Sequence, residues 1–315
     1  MMKKKAIIIS IRGFKLTKKE KNLLSKDRPW GIILFKRNIK SLRQITDLIT
    51  NIKKITKDKK FPILIDEEGK KVSRLTKIID NKIDAFFFGS LYKQNKKVAI
   101  SLYRNYLQSI CKKLVKIGIN INTIPVLDVL RQKTNKIIHG RSFSKNKNIV
   151  KKFGEVTVKE CHANKIIAVI KHIPGHGCAN KDSHFHMPKV SLNINELNNL
   201  DFFPFKSSTA KLAMTAHILY SKIDSKNVAT FSNKIIKSII RKKIGFKGIL
   251  MSDDISMKAL KYDLITNAKK SLDAGCNLVL YCAGKIEDNY KLMKSVPYID
   301  KFTIKKTSEI YKILR

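Results

Sequence analysis

Acidic residues are what this sequence has least of. Asp and Glu number 24 against 66 Lys and Arg, a formal net charge of +42. Such an excess attracts polyanions non-specifically at low salt. It does not make a dedicated nucleic-acid surface. Ten of the basic residues are Arg, and the lysines are scattered along the chain with no basic arm. Aromatic residues are not interleaved with them as a single-strand platform requires. Ile and Asn are also abundant, so compositional bias is the better reading, and no specific nucleic-acid partner is expected. Cysteines number five, an odd count, with no CxxC spacing. That excludes a disulfide framework or a zinc knuckle and fits a reducing cytosol. No apolar run approaches the roughly 20 residues of a membrane span, so no membrane partner is expected. The start, Met1 to Lys5, resembles the basic region of a signal peptide. However, the apolar run behind it ends at Ser10, which suits a first strand better. Internal repeats and Pro/Gly/Ser-rich linkers are lacking too, which leaves residues 1–315 as a single domain.

What is present is an alternation. Short runs rich in Ile and Val fall at residues 6–11, 31–35, 61–65, 119–129, 166–170, 212–217, 248–251 and 278–282. Apolar residues at helical spacing lie between them, at 41–55, 98–117, 149–164, 232–243 and 264–274, the last followed by Gly275 in the place of a C-terminal cap. Strands alternating with helices imply parallel pairing through right-handed crossovers. Eight of them in 315 residues predict a (β/α)₈ barrel of the TIM type. An open doubly wound sheet is the runner-up, but residues 11–14 hold no Gly-rich phosphate loop. Residues 69–97 form a long insertion, irregular in part.

Polar residues collect at the ends of these runs: Asp66, Glu67 and Glu68 after the third, Asp128 in the fourth, Lys171 and His172 after the fifth, His217 in the sixth, Asp253 and Asp254 after the seventh. In a barrel the C-terminal strand ends form the mouth of the active site. A lone Asp there is ordinarily a turn or cap residue; five strands delivering ionisable groups to one rim point to a site.

The densest segment is 171–186, which holds four of the seven histidines. A His-rich surface loop is one reading. A metal site built on His184 and His186 is another, but in amidohydrolase barrels such a pair belongs to the first strand, and no metal or other cofactor is expected. The third reading is a resemblance. The segment is similar to the KHFPGHG…DSH motif of glycoside hydrolase family 3 β-N-acetylglucosaminidases (β-N-acetylhexosaminidases of the NagZ type). Four further stretches resemble that family in its order: residues 66–75, 125–129, 140–144 and 248–257.

The resemblance implies a retaining, two-step exo-glycosidase that forms a covalent glycosyl-enzyme. By motif position Asp253 is the nucleophile. Neighbours on a strand face opposite ways, so Asp254 is not expected to aim at the substrate as well. His184 falls at the acid/base and Asp182 at the group that orients it. An imidazole titrating near neutrality suits both proton transfers. Asp66, Arg74, Arg141, Lys171 and His172 match the family's positions for binding the terminal sugar, although a salt bridge on the rim would also account for Arg74 and Arg141. His176 is expected to brace its loop, with Gly175 and Gly177 permitting the turns. His217 is expected to pack the site. The implied substrate is a small carbohydrate, a muropeptide handled by a cytoplasmic monomer during peptidoglycan recycling. Larger family-3 enzymes often take their acid from a C-terminal domain, for which residues 283–315 are too few. Departures are Lys70 in place of a Gly, strained if its φ is positive, and Lys71 in place of an Arg. Cys178 has no family role and would be oxidation-sensitive if exposed. The competing functions are hydrolysis of another β-glycoside and non-enzymatic polyanion binding.

Overall fold

The computed structural model describes residues 3–132, 134–136, 138–179 and 186–314. Among these, ten strands occur: β1 (Lys5–Ser10), β2 (Pro29–Leu34), β3 (Ile63–Ile65), β4 (Ile121–Asn122), β5 (Ile167–Ile173), β6 (Lys189–Val190), β7 (Leu212–Thr215), β8 (Leu219–Tyr220), β9 (Ile249–Asp254) and β10 (Leu278–Leu280). Eight close into a parallel barrel in the order β1-β2-β3-β4-β5-β7-β9-β10, with β10 returning to β1 through Ile7 opposite Val279. β6 and β8 form a separate parallel pair. Each of the eight barrel strands overlaps one of the eight apolar runs.

These runs are apolar throughout because both faces of each strand are covered. Along β1, Ala6 and Ile8 join the barrel interior with Ile33, Leu64 and Val169, while Ile7 and Ile9 pack in the layer beneath the helices. That layer comprises α1 (Lys18–Lys26), α2 (Leu42–Thr56), α3 (Ala85–Gln94), α4 (Lys96–Ile117), α5 (Lys147–Ala163), α6 (Ile194–Asn199), α7 (Leu264–Ala274), α8 (Ile286–Ser295) and α9 (Lys301–Ile313), plus a π-wound helix, Ile235–Lys243. Ser41 caps α2, and Gly275 ends α7 at φ 115°, as its position implied. At the N-terminal end of the barrel, buried Trp30 donates through Nε1 to Thr307 of α9 at 2.8 Å. Lys4 reaches Asp58 at 2.8 Å and the Tyr311 hydroxyl at 2.6 Å.

Several boundaries differ from the sequence reading. The fourth run pairs regularly over two residues only. Beyond them Ile124 N turns back to Asn122 O at 2.8 Å, Pro125 has no amide to give, and one bridge, Val126 to Lys171, continues the sheet. β5 runs on to Ile173, so Lys171 and His172 lie within the strand, not beyond it. The helix expected from 232 starts at Ile235, and part of the 69–97 insertion is α3. Lys70 does not have positive φ; the neighbouring Gly69 takes it, at 147°. The strain foreseen at Lys70 is therefore absent.

Candidate active site

The C-terminal strand ends enclose a cavity of 460 Å³, within the roughly 300–1,000 Å³ of small-molecule sites. Its wall includes Asp66, Arg74, Arg141, Lys171, His172 and Asp253, six of the eight residues named from the sequence. The other two, Asp182 and His184, lie outside the described residues.

One side of the cavity is a lattice of ions. Lys171, in β5 and nearly inaccessible, lies 2.6 Å from Glu68 Oε1, 3.4 Å from Asp66 Oδ1 and 2.9 Å from Thr123 Oγ1. Arg74 donates to Asp66 Oδ2 at 2.8 Å, and Thr123 donates to Asp66 Oδ1. Arg141 grips Glu68 with both arms of its guanidinium, at 2.7 and 2.9 Å. Burial alone would raise the pKa of Asp66, but Lys171 and then Arg74 outweigh it and hold the carboxyl well below the usual range. Glu68 is also lowered: burial opposes ionisation, and Arg141 followed by Lys171 overcomes it. Arg74 and Arg141 are thus both ion-paired and part of the cavity wall. Arg74 Nε is buried with no hydrogen-bond partner among the described residues, a donor a sugar oxygen could satisfy. Phe35 completes this side, with the guanidiniums of Arg37 and Arg74 at 4.7 and 5.2 Å from its ring centroid.

Glu67 has a different task. Its carboxylate accepts from Ser73 Oγ, Arg74 N, Leu75 N and Asn81 Nδ2, which folds the chain back and carries Arg74 to the rim. The three acidic neighbours are therefore divided between cavity-lining Asp66, loop-holding Glu67 and the Arg141 partner Glu68.

Across the cavity stand Asp253 and Asp254. Both line it, contrary to the expectation that neighbours on a strand diverge. Alternation fails there because the register against β10 shifts at the end of β9. Their hydrogen bonds nonetheless differ. Asp254 accepts from Ser256 N at 3.0 Å, Ser256 Oγ at 2.7 Å and Cys282 N at 3.1 Å, so its oxygens fix the turn. Burial raises its pKa. Asp253 Oδ1 accepts from Asp254 N at 2.8 Å, which orients the Asp253 carboxyl from below. Buried His217 bridges Thr230 Oγ1 and Asp254 O, at 2.7 and 3.0 Å, the packing role anticipated for it.

The floor beside β5 is made by His172 and His176, with buried Asp128 behind them. His176 lines the cavity and also braces its segment, its amide donating to Asp128 Oδ1 at 2.6 Å. Burial pushes its imidazole down to about 4, so it is neutral at physiological pH. Gly175 has φ 139°, whereas Gly177 is needed for a close approach: a Cβ there would lie 1.9 Å from Val129 O. Burial pushes the half-buried Cys178 thiol well up, so it is not a thiolate nucleophile. Among the described residues no group of three or more His, Cys, Asp or Glu is arranged to hold a metal ion. His184 of the His184/His186 pair lies outside them.

Reading from sequence gave Thr123 and Phe35 no part in the site. Glu68 and Asp128 were visible as strand-end acids, but their partners were not; Thr123 carries no signal of its own.

The sequence profile of the glycosyl hydrolase family 3 N-terminal domain matches residues 1–307. The chain belongs to glycosyl hydrolase family 3. This family 3 chain is 31% identical over 287 residues to a β-hexosaminidase of Stenotrophomonas maltophilia, covering 90% of the chain and 84% of that protein. It is 30% identical over 281 residues to a β-hexosaminidase of Nitrosomonas eutropha, covering 88% and 80%. Its fold is similar to that of NagZ from Neisseria gonorrhoeae in complex with N-trifluoroacetyl-D-glucosamine, with a TM-score of 0.88, 27% identity and coverage of 98% of this chain and 90% of that one. The family 3 chain is a glycoside hydrolase of the β-hexosaminidase type, with a single barrel accounting for its described fold.

Proposed function

We propose that the protein is a retaining exo-β-N-acetylglucosaminidase that releases terminal β-linked N-acetylglucosamine from muropeptides. The observation that carries this reading is the opposition across one cavity of Asp253 and the Asp66–Lys171–Arg74 cluster, with Asp254 committed to its own turn. Asp66 accepts sugar hydroxyls. Arg74, Arg141 and Lys171 donate to hydroxyl or acetamido oxygens, and His172 contacts the sugar through its ring. The sugar bound in the gonococcal relative carries an acylated 2-amino group, which supports the same class here.

In the first step a carboxylate oxygen of Asp253 bonds to the anomeric carbon. The glycosidic C–O bond breaks, and the His184 imidazolium gives its proton to the leaving oxygen. In the second, neutral His184 takes a proton from water. The water oxygen bonds to the anomeric carbon, and Asp253 leaves with its electron pair. Asp182 orients the imidazole and stabilises its charge. The pathway would be peptidoglycan recycling by a cytoplasmic monomer; no described helix is long and apolar enough to cross a membrane.

The test is trapping with a 2-acetamido-5-fluoro glycosyl fluoride and peptide mapping. A label on Asp253 is expected. A label on Asp254, or no adduct together with turnover, would overturn the covalent role of Asp253 and favour participation by the substrate acetamido group. Aryl glycosides of N-acetylglucosamine and glucose separate the substrate classes: turnover of the glucoside as fast as the acetamido sugar would sink the specificity.

A further inference from the structure

Asp128 is a fully buried carboxylate behind His172 and His176, and each of its oxygens is committed. Oδ1 accepts from His176 N at 2.6 Å and His172 N at 3.3 Å, while Oδ2 lies 2.7 Å from His172 Nδ1. A carboxylate holding two amide N–H groups is an acceptor, so the ring nitrogen facing it must be the donor. His172 Nδ1 therefore bears hydrogen. His172 lines the cavity, and among the described residues no hydrogen bond reaches its Nε2. The His176 ring lies edge-on to it, with centroids 5.6 Å apart, which limits the ways the His172 ring can turn.

We infer that Asp128 is a positioning residue that locks the His172 ring with Nδ1–H directed into the barrel wall, so that Nε2 alone is presented to the sugar. The second nitrogen of an imidazole takes its state from the hydrogen bond made by the first. With Nδ1–H committed to a carboxylate, the neutral ring offers the cavity an acceptor at Nε2. The charged ring, stabilised by the same carboxylate, offers a donor. Asp128 also ties this ring to the chain direction, because the amides of His172 and His176 share its other oxygen. The part played by the sugar rests on the function proposed above; the tautomer of the ring does not.

Asp128→Asn reverses the arrangement by a count of hydrogen bonds. If the Asn oxygen keeps the two backbone amides, its NH₂ faces Nδ1, which must then accept, and the ring hydrogen moves to Nε2. The flipped amide would satisfy one ring N–H and confront two backbone N–H groups with donors, so it is disfavoured.

The experiment is ¹⁵N NMR of histidine-labelled protein at a pH where the ring is neutral, with the His172 signals assigned from His172→Gln. The wild type is expected to show Nδ1 protonated and Nε2 bare, and Asp128→Asn the opposite. KM for an aryl N-acetylglucosaminide should rise roughly tenfold in Asp128→Asn, with kcat falling less, as expected for loss of a charge-supported hydrogen bond. A wild-type ring protonated at Nε2 overturns the inference even if the variant does not fold. So does an Asp128→Asn protein with the wild-type tautomer and unchanged KM. Failure to hydrolyse any hexosaminide would refute the proposed function yet leave the tautomer readable.

Discussion

Replacing Lys171 by Met tests the ionic side of the cavity most directly. The ammonium is 2% exposed and serves two carboxylates, Glu68 at 2.6 Å and Asp66 at 3.4 Å. Methionine is of similar length, so the change removes charge more than volume. Breaking a buried ion pair from one side costs roughly 3–5 kcal/mol. Here each carboxylate keeps a guanidinium, Asp66 that of Arg74 and Glu68 both arms of Arg141. The low end applies, and a loss of about 3 kcal/mol at pH 7 is expected. The pH dependence sharpens the test. Asp66 and Glu68 both have depressed pKa values in the folded protein, against burial, through Lys171 and their arginines. The stability they contribute is full above their unfolded values, about 3.9 and 4.3, and is lost as pH falls through the depressed ones. Without Lys171 the depression is smaller, so the variant lacks part of that contribution at pH 7 and the two proteins converge toward acid. Urea unfolding at pH 7 and at about pH 2.5, below the unfolded values, measures this. Trp30, the sole tryptophan and fully buried, supplies the fluorescence signal from the N-terminal end of the barrel. A loss under about 1 kcal/mol at pH 7, or one that does not narrow once the pH falls below about 3, would refute the account of the cluster.

Two other substitutions separate the remaining parts of the site. Asp254→Asn keeps an oxygen for Ser256 N and Cys282 N, and its NH₂ can donate to Ser256 Oγ, so kcat/KM should fall less than roughly tenfold. Asp253→Asn should lower it by roughly a thousandfold or more; equal losses in steady-state assays would contradict the assignment of the nucleophile. Gly89→Ala would put a methyl 1.8 Å from Phe143 O. Thermal or urea unfolding should show a loss of roughly 1–3 kcal/mol, and KM should rise because Arg141 lies two residues away on the displaced segment; wild-type stability would show that α3 does not hold that segment.

The barrel was legible because parallel strands buried on both faces leave uninterrupted apolar runs, and all eight did so. Their ends were less legible. The fourth run looked long because its residues are apolar, yet regular pairing stops after Asn122, where the chain turns ahead of Pro125. Short or polar helices such as α6, which relies on the Asn193 cap more than on an apolar stripe, gave no periodic signal. In the site, Asp66, Lys171, His172 and Asp253 stood out as polar residues at strand ends, whereas Arg74 and Arg141 were named only through the family resemblance. What they touch was not readable, since it depends on contacts between segments far apart in the chain: Thr123 between Asp66 and Lys171, or Asp128 beneath His172. The pair Asp253–Asp254 shows the limit of the alternation rule, which fails where a strand stops being regular.

The seam between β1 and β10 bears on how the chain is made. Residue 10 leaves the ribosome some 270 residues before residue 280, roughly 15–55 s at about 5–20 residues per second. Throughout that interval β1 has β2 on one side and nothing on the other, and the growing sheet has two raw edges of the sort that invite association between chains. Trp30 and Lys4 wait longer still, for Thr307 and Tyr311. Synthesis is therefore the most exposed stage in the life of this barrel. A polypeptide stalled before residue 278 would be a sheet without its last stave, a natural target for chaperones and proteases.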